Sequence, residues 1–81
     1  ATTDLLLVCS AINMIDISGL EMLYRVNHTL EDMGIKLHLS EVKGPVMDQL
    51  EATDFIVAMS GSVFFTTDQA MRNLAVRNPD G

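Results

Sequence analysis

Asn13-Met14-Ile15-Asp16-Ile17-Ser18-Gly19-Leu20 is the stretch whose reading decides the fold. An apolar run, Leu5 to Ile12, feeds into it, and an amphipathic helical pattern leaves it. Asp16 and Ser18 therefore stand where a strand ends and a helix begins. In an open α/β sheet that edge is where ligands and partners meet the fold. The turn also brings backbone N–H groups and the positive end of a helix dipole beside Ser18. Ser18 reads as the N-cap, Asp16 as ordering the turn through backbone N–H groups, and Gly19 as the source of backbone freedom.

Upstream, Leu5 to Ile12 is apolar without alternation, the pattern of a central parallel strand covered on both faces. Downstream, from Gly19 to Met33, Leu20, Leu23, Asn27 and Leu30 share one helical stripe, with Tyr24 adjoining it. Met22, Val26 and Met33 widen the apolar surface, so they read either as core or as a docking surface. Gly34 stands at a C-cap position. Ile35, Leu37 and Leu39 then alternate with Lys36, His38 and Ser40, which reads as a strand with His38 on its polar face, toward a sheet edge. Pro45 opens a short helix packed through Val46, Met47 and Leu50 and ending near Thr53. Phe55 to Ala58 reads as another apolar strand, and Val63-Phe64-Phe65 as a brief extended piece. Thr66 and Gln69 have capping-box spacing ahead of a last helix from Asp68 to about Arg77, packed through Ala70, Met71, Leu74 and Ala75. Asn78-Pro79-Asp80-Gly81 reads as a terminal breaker. The expectation is one α/β domain over residues 1–81, with strands and helices alternating and joined by right-handed crossovers.

Composition narrows the function. Eleven acidic residues against five basic ones leave a net charge of −6, which repels nucleic acid and anionic membrane surfaces. A chain this short buries only about 60–65% of its unfolded surface. Yet 48% of its residues are hydrophobic, which points to a partner surface or to a further piece of the same fold. No apolar run approaches the ~20 residues that cross a bilayer. There is no signal-peptide pattern, and a chain opening on Ala1 reads as a fragment or a processed piece. Cys9, the single cysteine, sits in the apolar run and reads as inert packing.

Motifs for catalysis are missing. Gly61 has no partner glycines at dinucleotide-fold spacing, and there is no phosphate-loop pattern. His28 and His38 have no cysteine or second histidine at ligand spacing, so no metal site is expected. Ser18 lacks the glycines of a nucleophile elbow. The expectation is a protein without enzyme activity and without a cofactor. Asp16, Ser18, Gly19 and Leu20 remain as the interaction candidates, with Ser18 also a phosphoacceptor candidate.

Three segments together resemble the STAS domain family: Ile15-Asp16-Ile17-Ser18-Gly19-Leu20-Glu21-Met22-Leu23, Leu30-Glu31-Asp32-Met33-Gly34-Ile35-Lys36-Leu37 and Ser40-Glu41-Val42-Lys43-Gly44-Pro45-Val46. The resemblance spans Leu5 to Leu74. It implies the mainly parallel sheet with helices seen in anti-sigma factor antagonists and in the C-terminal domains of SulP-type anion transporters. The family fold usually begins with further strands and a helix ahead of Leu5, absent from this sequence. Their absence would leave an uncovered sheet edge and favour a homodimer. The Ser-Glu-Val-Lys-Gly-Pro-Val stretch and Val63-Phe64-Phe65 look more like the transporter branch. That branch implies a regulatory domain on the cytoplasmic face of the membrane, docked to the transmembrane domain of the same sulfate or related anion transporter. Two alternatives stand beside it: a soluble anti-sigma factor antagonist switched by a partner kinase at Ser18, and a nucleotide-binding sensor, which no motif supports. Ile17 departs from the small polar residue frequent in the antagonists.

Overall fold

The computed structural model describes residues 2–77. In chain order the elements are β1 (Asp4–Val8), α1 (Ile17–Asp32), β2 (Lys36–Ser40), α2 (Gly44–Glu51), α3 (Phe55–Ala58), β3 (Val63–Phe64) and α4 (Thr67–Arg77). The three strands form one parallel sheet in the order β1-β2-β3. This is the α/β, mainly parallel architecture expected from the alternation of apolar runs and helical stripes. The Asn78–Gly81 breaker lies outside the described residues.

Strand order differs from the sequence reading. The apolar run ends as a strand at Val8, and β1 is an outer strand among the described residues, with Leu5 and Val8 exposed. The inner strand is β2, where Leu37, His38, Leu39 and Ser40 are all buried. Alternation of Leu with polar residues suggested an edge because polar side chains were assumed to face water. Here they face a second covered layer, and α4 contacts both β1 and β3. Leu37 and Leu39 join Cys9, Val46, Leu50, Phe55 and Met59 in the main core, against which Leu20, Leu23, Tyr24 and Leu30 of α1 also pack.

Phe55–Ala58 is one turn of helix, not a strand. Ala58 N donates to Asp54 O at 2.9 Å and Met59 N to Phe55 O at 2.8 Å. Thr53 starts the turn by accepting from Phe55 N through its hydroxyl at 3.1 Å, while that hydroxyl donates to Leu50 O at 2.7 Å. Phe55 is buried and Val57 is 89% exposed, a one-sided burial typical of a surface helical turn. The third strand is instead the Val63–Phe64 piece, which pairs with Leu39 and Ser40.

Helix ends follow their sequence signals. Gly34 has φ of 75° and closes α1 in a Schellman arrangement, with Ile35 N donating to Leu30 O at 2.8 Å and Gly34 N to Glu31 O at 3.0 Å. At α4, Gln69 N donates to Thr66 Oγ1 at 3.0 Å, and Gln69 Oε1 accepts from Phe65 N at 2.9 Å, one residue before the position a capping box predicts. Glu41 has φ of 58°, in the left-handed region, and its carboxylate accepts from Thr67 N at 2.6 Å. Of the residues expected to pack α4, Ala70 is buried and Leu74 half-buried, while Met71 and Ala75 are exposed.

The loop before β3 lies directly on β2. A Cβ at Gly61 would stand 2.1 Å from Leu37 O and 2.7 Å from His38 Nδ1. Backbone cannot yield cheaply there, so Gly61→Ala is expected to cost about 2–3 kcal/mol, measured as a fall in the urea midpoint at unchanged slope.

Candidate functional site

The turn that carries Asp16 and Ser18 leaves the carboxyl end of β1 and opens α1. Asp16, not Ser18, is the N-cap. Its backbone is extended, with φ −90° and ψ 178°, and its Oδ1 accepts from Gly19 N at 2.7 Å. Leu20 N donates to Asp16 O at 2.9 Å, closing the first helical turn. Both serine and aspartate suit a cap, and the helix begins at Ile17, two residues earlier than a Ser18 cap requires. Ser18 lies inside the first turn, exposed, and its hydroxyl has no hydrogen bond among the described residues. Gly19 is helical, so its value is room rather than conformational freedom: a Cβ there would come within 3.1 Å of Asp16 Oδ1. Leu20 is half-buried and packs against the core.

The turn is held from α2. Gln49 reads both backbone groups of Ile15: its Oε1 accepts from Ile15 N at 3.0 Å and its Nε2 donates to Ile15 O at 3.0 Å. Lys43 Nζ donates to Asn13 Oδ1 at the other end of the loop. These contacts, from α2 and from its N-cap residue Lys43, fix a loop that would otherwise be tethered only by its strand and helix. Between turn and α2 runs a groove of about 240 Å3, lined by Ile15, Asp16, Ile17, Leu20, Gln49, Leu50 and Ala52. Sequence reasoning missed it, because nothing local to Gln49 signals a partner 34 positions away.

Met22, Val26 and Met33 are exposed, at 59%, 38% and 65%. They belong to the outer flank of α1 and not to the core. The residues Ser18, Met22, Val26, Thr29 and Met33 follow one another at steps of four or three, so these five form one surface stripe beginning at Ser18. All five are exposed.

The opposite side of α1 is tied down by polar groups. Buried Asn27 donates to Ala58 O at 3.3 Å and accepts from Ser60 N at 3.1 Å. Tyr24 donates its hydroxyl to Asp54 and packs edge-on against Phe55, with ring centroids 5.1 Å apart. The Asp54 contact pushes the Tyr24 phenol above its ordinary value, with loss of solvation adding to it.

His38 is fully buried rather than on a polar face. Its Nδ1 accepts from Ser62 N at 3.0 Å, which leaves Nε2 to carry the proton donated to Asp4 Oδ1 at 2.6 Å. His28 is exposed and 3.6 Å from Asp32. Cys9 is buried, and burial pushes its thiol up, as fits a packing role. Among the described residues no group of three or more His, Cys, Asp or Glu could hold a metal ion. No described helix is long and apolar enough to cross a membrane.

Comparison with protein families gives a match between residues 1–70 and the STAS domain model, which takes in the turn, α1, α2 and the groove. Among curated proteins there is no match.

Two outcomes follow from this geometry. Asp16→Ala should lose about 1 kcal/mol of stability while Ser18→Ala stays within about 0.5 kcal/mol, since only the former removes a cap; chemical denaturation distinguishes them. Tyr24 is the single tyrosine and there is no tryptophan, so phenolate absorbance reports it alone. Its folded pKa lies above the unfolded value of about 10. The stabilisation it supplies is therefore complete below that value and lost as pH rises through the folded pKa. Asp54→Asn should bring the absorbance transition down in pH and flatten that alkaline loss.

Proposed function

The chain belongs to the STAS domain family, and we propose that it is the non-enzymatic regulatory domain of a SulP-type sulfate or related anion transporter, acting on the cytoplasmic face of the membrane. Membership of this family by itself points to a regulatory or protein-interaction role. The observation that carries the finer reading is the exposed stripe Ser18, Met22, Val26 and Met33, which begins at the Asp16 turn and runs along α1. Apolar side chains repeated on one flank of a helix are the usual form of a docking surface. The transporter branch is supported by Ser40-Glu41-Val42-Lys43-Gly44-Pro45-Val46 and Val63-Phe64-Phe65, which resemble it. In this reading the stripe docks on the transmembrane domain of the same transporter and biases it between states. Differential contact with two states is what such coupling requires.

A second reading is favoured by one feature. The Ser18 hydroxyl is exposed and unbonded at the start of α1, open to a kinase. A phosphate there would add about −1.5 to −2 charges beside a helix N-terminus, where it is tolerated, and would repel an acidic partner. That is the switch expected of an anti-sigma factor antagonist.

Titration against a SulP membrane domain and against an anti-sigma kinase separates the two. Met22→Glu combined with Val26→Glu should weaken membrane-domain binding more than about tenfold, with Ser18→Ala unchanged. Kinase binding abolished by Ser18→Asp, with no membrane-domain binding, would transfer the assignment to the antagonist reading.

A further inference from the structure

The groove beside the Asp16 turn is chemically distinct from the α1 stripe. Its walls are the apolar side chains of Ile15, Ile17, Leu20, Leu50 and Ala52. Its polar lining is partly engaged: Asp16 Oδ1 by Gly19 N, and both ends of the Gln49 amide by Ile15. With five of its seven lining residues apolar, an occupant gains chiefly by burying apolar surface there. A volume of about 240 Å3 has room for a large aliphatic or aromatic side chain. Ile17, 78% exposed, extends the apolar surface outward from the groove.

The surroundings are acidic. Glu21 follows Leu20, Asp48 precedes Gln49, and Glu51 lies between Leu50 and Ala52. All three carboxylates are exposed, and none has an ion pair among the described residues. Two cations are near in sequence. Arg25 stands one turn after Glu21 without an ion pair to it, and Lys43 is engaged with Asn13. The chain as a whole carries −6.

We propose that this groove docks an apolar side chain presented on a lysine- or arginine-flanked segment of a partner protein. The anchor supplies affinity by leaving water. The flanking cations meet Glu21, Asp48 and Glu51, which raises the association rate and rejects acidic competitors. Exposed ion pairs add little affinity by themselves, so an apolar anchor and basic flanks are both required. The proposal rests on the chain being an interaction module, but on a different face from the Met22 stripe.

Anisotropy titrations of the chain with labelled peptides test it. The probes are a Lys/Arg-rich peptide with a central Leu-Phe pair, the same peptide with that pair changed to Ser-Ser, and a Glu-rich peptide keeping Leu-Phe. The first should bind saturably, and more weakly as salt rises. The other two should bind at least about tenfold more weakly. Asp48→Lys with Glu51→Lys should weaken the first peptide about tenfold. Ala52→Trp, which fills the groove, and Ile17→Glu should each do the same, circular dichroism confirming that both fold. Met22→Glu should leave it unchanged. Equal binding of the basic and acidic peptides, or indifference to both Ala52→Trp and Ile17→Glu, overturns the proposal. If no peptide binds while Met22→Glu still impairs membrane-domain docking, the groove proposal falls and the transporter reading stands. Peptide binding without membrane-domain docking upholds the groove and removes that reading.

Discussion

Strand β2 has almost no group left for water, and the rest of the domain is arranged around satisfying it. Leu37 and Leu39 fill the core on one face, while His38 and Ser40 are buried on the other. Each buried polar group there would cost roughly 1–3 kcal/mol if left unpaired. The loop from Met59 to Ser62 supplies much of the answer. Ser60 Oγ accepts from Leu37 N at 3.1 Å, Ser62 N donates to His38 Nδ1, and Leu39 N donates to Ser62 O at 3.1 Å. Asn27 extends the network to α1 by accepting from both the amide and the hydroxyl of Ser60. Ser40 completes it toward α4 through Thr67, 3.0 Å away. Gly61 is what lets the loop approach so closely, because a single Cβ would collide with the β2 backbone.

That anchoring explains why the Asp16 turn is a defined surface. Asn27 fixes the middle of α1 against α3 and the β3 loop, and Tyr24 fixes its first half against Phe55. The start of α1 is then set by the Asp16 cap, and the loop ahead of it by Gln49 and Lys43. A surface held from three sides loses little conformational entropy when a partner arrives, so more of the contact energy appears as affinity. The bonds that hold Asp16 and Gln49 also occupy one carboxylate oxygen and both ends of the Gln49 amide at the groove.

Much of this was legible in the sequence, and what was not has identifiable physical reasons. The stripe Leu20, Leu23, Asn27, Leu30 gave α1 its buried face because a helical period is read over four turns. Gly34 and the Thr66–Gln69 pair marked helix ends through chemistry that operates within five residues. Phe55–Ala58 failed because four apolar residues fit a strand and a single helical turn equally well. The deciding groups, Thr53 and Asp54, lie outside the run. His38 failed because a period of two distinguishes Leu from His but cannot say that both faces are covered. Its partners, Asp4 and Ser62, come from distant strand and loop positions. The turn was placed correctly, but Asp16 and Ser18 are both competent caps, and only backbone geometry assigns the role. The Gln49 clamp and the groove depend on tertiary contact alone.

Exposed apolar residues are not by themselves evidence of function, since every small domain has them. Val57, Phe65 and Met71 are single side chains on separate elements, and packing needs no further account of them. Those on α1 and β1 are different because their exposure is patterned. Met22, Val26 and Met33 repeat along one flank of α1, and Ile17 continues the wall of a groove. Leu5 and Val8 lie on β1, whose outer edge pairs with no strand among the described residues. A sheet edge of that kind is a template for further pairing unless something covers it. A turn, a helix flank and a strand edge that each leave apolar side chains in water, in a chain with 48% hydrophobic residues, are surfaces whose exposure costs free energy until a neighbour covers them.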